Sequence, residues 1–260
     1  MTTVTQLMVP LLLFGGCIRA GFEVPGDVLG GSSDRSDSTE DSGAMDTDDG
    51  QRDAGLCTGF TGILCDDFES DLSKWTVDQF NGTVTRTPGA AHSGQGGVSV
   101  TLDGAGRSGL TADFAPVTGG SVYVSAWVRL AATPVLSSYL VLLELRDDPW
   151  SGQKISLDGE GEDRFQINAT TAHTAIESSP GALPRGTWAC LELFVNVADS
   201  GSAWVQVDGV RLEVNGDTLP VSGMFNRMMI GLSTSGQAMS ADFDDVRIGD
   251  QVYGCSGQTD

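Results

Sequence analysis

What most constrains this chain is a two-residue alternation of apolar and polar side chains that returns in segment after segment beyond residue 97. In Ser121–Leu130, Val122, Val124, Ala126, Val128 and Leu130 share one parity; Tyr123, Ser125, Trp127 and Arg129 share the other. A β-strand sends alternate side chains to opposite faces of its sheet, so the run makes one apolar face and one polar-aromatic face. Ser138–Asp147 repeats the pattern, with Tyr139, Val141, Leu143 and Leu145 against Leu140, Leu142, Glu144 and Arg146. Phe165 and Ile167 alternate with Arg164, Gln166 and Asn168. In Thr187–Val197, Ala189, Leu191, Leu193, Val195 and Val197 oppose Trp188, Cys190, Glu192 and Phe194.

Turn chemistry completes the strand reading. Ala203–Val214 predicts a hairpin about Asp208-Gly209, a pair that suits a tight primed turn. Gly97–Asp103 alternates as well, and Gly104-Ala105-Gly106 predicts a turn after it. Met228–Leu232 and Ala241–Gly249 are the closing strands, and no helical stripe of useful length competes. Many short antiparallel strands without strand-helix alternation predict an all-β fold: a two-sheet antiparallel β-sandwich of the jelly-roll type.

The first strand is placed at Leu64–Ser70, because the composition changes there. Residues 17–56 are rich in Ser, Asp, Gly and Thr and lack the apolar surface that would offset the entropy of ordering, so they predict an acidic tether. The apolar run Leu7–Gly16 is too short to span a bilayer as a helix and has the length of a signal-peptide core. The expected organisation is a signal at 1–16, a tether at 17–56 and one sandwich domain at 57–260. A net charge of -21 argues against nucleic acid, whose binding requires Lys and Arg to displace counterions, and against anionic partners in general.

The chain has five cysteines, Cys17, Cys57, Cys65, Cys190 and Cys255. With Cys17 set apart, two disulfides are possible. Cys65–Cys255 with Cys57–Cys190, the local pairing Cys57–Cys65 with Cys190–Cys255, and reduced thiols all remain open.

Phe14-Gly15-Gly16-Cys17 resembles the end of a bacterial lipoprotein signal, which implies lipidation of Cys17, a membrane anchor and a place in the cell envelope. Phe14 stands where Leu is usual in that family, and Met1–Gln6 carries no Lys or Arg. Without lipidation the same segment implies secretion.

From Cys65 onward the chain resembles the concanavalin A-like lectin and glucanase superfamily, with its laminin-G-like and polysaccharide-lyase-like jelly rolls. The likeness rests on Asp67-Phe68-Glu69-Ser70 followed by Trp75, and on Ala91-His92-Ser93-Gly94 leading into Val98–Leu102. It rests also on Trp188–Glu192, Val205–Gly209 and Asp244-Asp245-Val246. Galactose-binding-like jelly rolls carry similar signals and are the architectural alternative. Both groups imply a first strand beside the last. Both also imply a structural Ca²⁺ held by Glu69, a carbonyl near Ser93 or Gly94, and Asp244 or Asp245.

Aromatic rings stack on sugars and polar side chains bond hydroxyls. If the strands lie side by side, Tyr123, Trp127, Arg129, Glu144, Arg146, Gln166, Asn168, Trp188 and Glu192 line one face for a polysaccharide. The alternative is that these groups pack on one another. Glu144-Leu145-Arg146-Asp147 breaks the Glu-x-Asp-x-x-Glu strand of the laminarinase-like members at Arg146, and the lyase motifs find no match. His92 and His173 stand in loop-like contexts, and no Gly-x-Ser-x-Gly elbow or zinc spacing occurs. The expected function is noncatalytic binding of a glycan or another extracellular partner. The alternatives are a polysaccharide-cleaving enzyme of the same fold and a structural or protein-interaction module.

Overall fold

The computed structural model describes residues 55–147, 154–169, 174–198, 201–212, 223–234 and 236–254. The predicted signal, Cys17, most of the tether, His173 and Cys255 lie outside these residues. The described chain is nearly all strand: β1 (Leu64–Asp66), β2 (Thr76–Thr87), β3 (Gly97–Val117), β4 (Gly120–Leu130), β5 (Leu140–Arg146), β6 (Lys154–Glu160) and β7 (Arg164–Ala169). The rest are β8 (Thr174–Glu177), β9 (Trp188–Val197), β10 (Ala203–Val207), β11 (Val210–Arg211), β12 (Phe225–Thr234) and β13 (Ala238–Gly249).

All are antiparallel and hydrogen-bonded into one curled sheet, in the order β11-β10-β9-β4-β13-β3-β12-β5-β6-β7-β8, with β1 on β13 and β2 on β3. The predicted jelly roll is present, with a continuity that strand periodicity does not reveal. Gly104-Ala105-Gly106 does not reverse the chain. It sits inside the 21-residue β3, which pairs with β13 over Val98–Asp103 and with β12 over Gly106–Val117. β2 follows it across the bend, shifting register between Phe80 and Gly82, where Asn81 has a left-handed φ of 57°. The β2–β3 ribbon thus passes from one layer of the sandwich to the other.

The core lies between the layers. Val122, Val124, Ala126, Val128 and Leu130 of β4 are buried in the same apolar cluster as Leu143, Leu145, Ile155, Leu157 and Ile167 of β5–β7. Burying a side chain of this size contributes about 1.5–3 kcal/mol, so the cluster is the main source of stability. The predicted hairpin is also present: Asp208 and Gly209 have φ of 51° and 76°, as a primed two-residue turn requires.

The pairing of β1 with β13 sets Leu64 opposite Ile248 and Asp66 opposite Val246, so the first strand lies beside the last. Cys57 and Cys65 are bonded with Cα atoms 5.5 Å apart, which excludes the pairing of Cys65 with Cys255. Cys190 is also disulfide-bonded.

Candidate functional site

Residues directly opposite in an antiparallel pair share a face, so the register maps each face of the sheet. On the layer built by β12, β5, β6 and β7, one row away from the core runs Met229, Glu144, Ser156, Asn168. The next rows are Arg227, Arg146, Lys154 and, on the other side, Asp158, Gln166, Glu177. The predicted Glu144, Arg146, Gln166 and Asn168 therefore share one face. Lys154, Ser156, Asp158 and Arg227 join them, although sequence reasoning passed over these four. The alternation of Ile155, Leu157 and Gly159 with Ser156, Asp158 and Glu160 was the signal for β6.

The face is charged yet largely shielded from solvent. Glu144 is 2% exposed and accepts a charge-assisted bond from Lys154 Nζ at 2.9 Å, with Arg146 on its other oxygen. Arg107 meets Asp78 at 2.5 Å, and Arg227 pairs with Asp113. Burial, then the like charges of Arg107 and Arg227, hold the Arg146 guanidinium below the ordinary arginine pKa; Asp78 acts the other way. Gln166 donates to Glu177 at 3.1 Å. Asp158 is 1% exposed, and burial pushes its carboxyl up to about 7.

Tyr123, Trp127, Arg129, Trp188 and Glu192 belong instead to the other layer, because β13, β3 and β12 separate β4 from β5 in the sheet. The nine predicted residues do not form one surface. Tyr123 packs on Phe194, ring centroids 4.8 Å apart, and Phe194 stacks on Trp204 at 4.9 Å. Arg129 bonds Asp242 with two nitrogens at 2.9 and 2.7 Å, reaches the Gly89 carbonyl and lies over the Trp188 ring. His92 stacks on Trp127 at 3.7 Å and meets Trp188 edge-on. Glu192 is buried, which raises its pKa, while the Gly254 amide and the Arg247 charge lower it.

Glu69, Gly94, Asp244 and Asp245 gather around the loop at 92–96. Glu69 Oε1 accepts the amides of Gln95 and Gly96 at 2.7 and 2.9 Å. Gly94 has a φ of 62°, and a Cβ there would lie 2.2 Å from Glu69 Oε1, so this position needs glycine on both counts. Asp244 Oδ2 accepts the amides of His92 and Ser93, and its Oδ1 accepts that of Asp245. Burial and the Asp245 charge raise Asp244 to about 7, against these three bonds. Ca²⁺ takes six to eight oxygen ligands. Here Glu69 and Asp244 accept N–H groups, Asp245 accepts the Ser93 hydroxyl, and no group of three acidic, histidine or cysteine side chains suited to a metal occurs among the described residues. What these bonds build is a hydrogen-bonded clasp.

The class this geometry defines is a jelly roll with one polar, partly cationic outer face. Among solved structures, the fold is similar to that of the cellulose-induced protein Cip1, at 22% identity and a TM-score of 0.60 over 74% of this chain and 100% of that one. It is similar also to the endo-β-1,4-glucuronan lyase of the fungus Trichoderma reesei, at 13% and 0.57 over 74% and 96%. The alginate lyase Aly36B follows at 11% and 0.51 over 72% and 96%. Identities this low show the fold alone. No family model and no curated protein matches the chain.

Proposed function

We propose that the domain binds a polysaccharide, without cleaving it, on the outer face of β5–β7 and β12, and that the preferred chain carries uronate carboxylates. The observation that carries this reading is local: Arg107, Arg146, Arg227 and Lys154 gather on this one face of a chain of net charge -21, with Asp78, Glu144 and Asp113 as their acidic partners, and Arg107 and Arg227 disfavour the charge on Arg146. A uronate carboxylate joins these pairs through further charge-assisted bonds, which arginine can make in bidentate form. Gln166 and Asn168 suit sugar hydroxyls. Two of the proteins with a similar fold are named as a glucuronan lyase and an alginate lyase, which supports a uronate-bearing chain as the ligand class.

Titration calorimetry of the domain with polyglucuronate, alginate and a neutral glucan tests it. Uronate chains are expected to bind, and to bind less tightly as salt rises. Lys154→Ala and Gln166→Ala should each lose affinity by about tenfold, or 1.4 kcal/mol. Equal affinity for the neutral glucan and no effect of either substitution would overturn the reading. Growth of the ultraviolet absorbance of an unsaturated uronate during the titration would make the protein a lyase instead.

The anchor is part of the same proposal: lipidation of Cys17 holds the domain at the cell envelope, and the acidic tether spaces it from the membrane. Cys17→Ser is expected to move the full chain from the membrane fraction to the soluble one. Unchanged fractionation removes the anchor and leaves the binding proposal standing.

A further inference from the structure

A cavity of about 270 Å³ opens on the opposite outer face, lined by Trp127, Glu192, Gln206, Asp208, Val252 and Gly254 among others. Three strands position it. Glu192 of β9 is directly opposite Gln206 of β10, and Trp127 of β4 is opposite Cys190 of β9. Asp208 is fixed by the hairpin turn and by the Cys190 amide, which donates to its Oδ1 at 2.8 Å. His92, stacked at 3.7 Å and 12° from parallel, holds the indole of Trp127 in place. Arg247 bonds the carbonyls of Tyr253 and Gly254 at 3.4 and 3.1 Å, which pins the C-terminal wall.

We propose that this cavity is a binding site for a single uncharged sugar ring, a second site independent of the polar face across the sandwich. Its volume is near the lower end of small-molecule sites, roughly 300 Å³, which suits one ring and no more. An indole offers the flat surface on which the C–H side of a pyranose packs. Glu192 and Asp208 accept hydroxyl protons, and the Gln206 amide both donates and accepts. None of the described lining residues is basic and two are carboxylates, a lining that favours an uncharged sugar over an acidic one. The walls are pre-positioned by the bonds above, which lowers the ordering cost of binding a small ligand.

The test is saturation-transfer NMR and calorimetry on the full chain, with the methyl glycosides of glucose, galactose, mannose, xylose and N-acetylglucosamine as probes. At least one is expected to bind, and Gln206→Ala and Glu192→Gln should each weaken it by about tenfold. Both variants are to be checked for an unchanged thermal midpoint. Gln206→Ala should leave uronate binding at the other face intact, and Lys154→Ala should leave the glycoside unaffected. The two sites therefore fail separately. No transfer to any probe, or wild-type affinity in both cavity variants, overturns the proposal.

Discussion

Replacing Asp158 by asparagine is expected to remove a loss of stability that this one carboxyl imposes as pH rises from about 4 to about 8. Asp158 lies on β6 with its side chain away from the core, yet it is almost wholly shielded, and its Oδ1 has no hydrogen-bond partner among the described residues. Burial lifts its pKa from 3.8 to about 7; the Ser156 hydroxyl and the Lys154 charge offset part of that, and Glu160 adds to it. The folded state therefore holds a proton that the unfolded chain has released, and unfolding becomes easier with rising pH in this window. The penalty is absent below the unfolded value, grows between 3.8 and about 7, and is constant above. One pKa unit corresponds to about 1.4 kcal/mol, so the whole step is roughly 4 kcal/mol. Denaturant unfolding of both proteins at several pH values measures it. Near pH 4 they should match, and near pH 8 Asp158→Asn should be the more stable by a few kcal/mol. Parallel profiles would show that the carboxyl is solvated. Taking the difference between the two proteins cancels groups of opposite sign, such as Asp113, which the Arg227 bond holds below its ordinary value.

Much of the fold was legible because period 2 is a strong signal wherever one strand face is buried. β4, β9 and the β10–β11 hairpin fall within a few residues of their predicted limits. β2 escaped because it is an edge strand whose side chains are mostly half or fully exposed, so Asp78, Gln79 and Asn81 interrupt any apolar pattern. β3 was cut short because Gly104 and Gly106 read as a reversal, while in the fold they lie where the strand changes partners. The site was only half legible, for a different reason. Alternation tells which side chains of one strand share a face, and nothing about which strands are neighbours. Tyr123 and Glu144 have the same pattern, but three strands intervene between β4 and β5. Arg129 and Trp188, which look like ligand-binding groups in sequence, lie against one another on that other layer. The disulfide pairing likewise depended on which loop lies near which strand.

Asp66→Ala is expected to cost about 2–5 kcal/mol, a large share of the 5–15 kcal/mol typical of a domain. Asp66 ends β1 and is buried. Its Oδ1 accepts the Phe68 amide at 3.0 Å and its Oδ2 accepts the Trp75 indole N–H at 2.7 Å. Phe68 needs such a tie: it is fully buried and has a left-handed φ of 52°, a conformation that bulky residues rarely adopt. Its carbonyl also accepts Arg86 Nε at 2.5 Å, and its ring packs 5.9 Å from that of Trp75. Removing the carboxylate strands two buried donors at once, each at about 1–3 kcal/mol, and releases the strained residue between them. Asp66→Asn keeps one acceptor oxygen and should fall between wild type and alanine. Denaturant midpoints in that order support the lock. An alanine variant within 1 kcal/mol of wild type would mean that the β1–β13 pairing and the Cys57–Cys65 bond hold the first strand without it. Glu69, which accepts the amides of Gln95 and Gly96 in the loop that also carries His92, follows Phe68 directly in the chain. Loosening Asp66 therefore reaches the proposed sugar cavity through the backbone, and glycoside binding should weaken in the alanine variant even at temperatures where the domain stays folded.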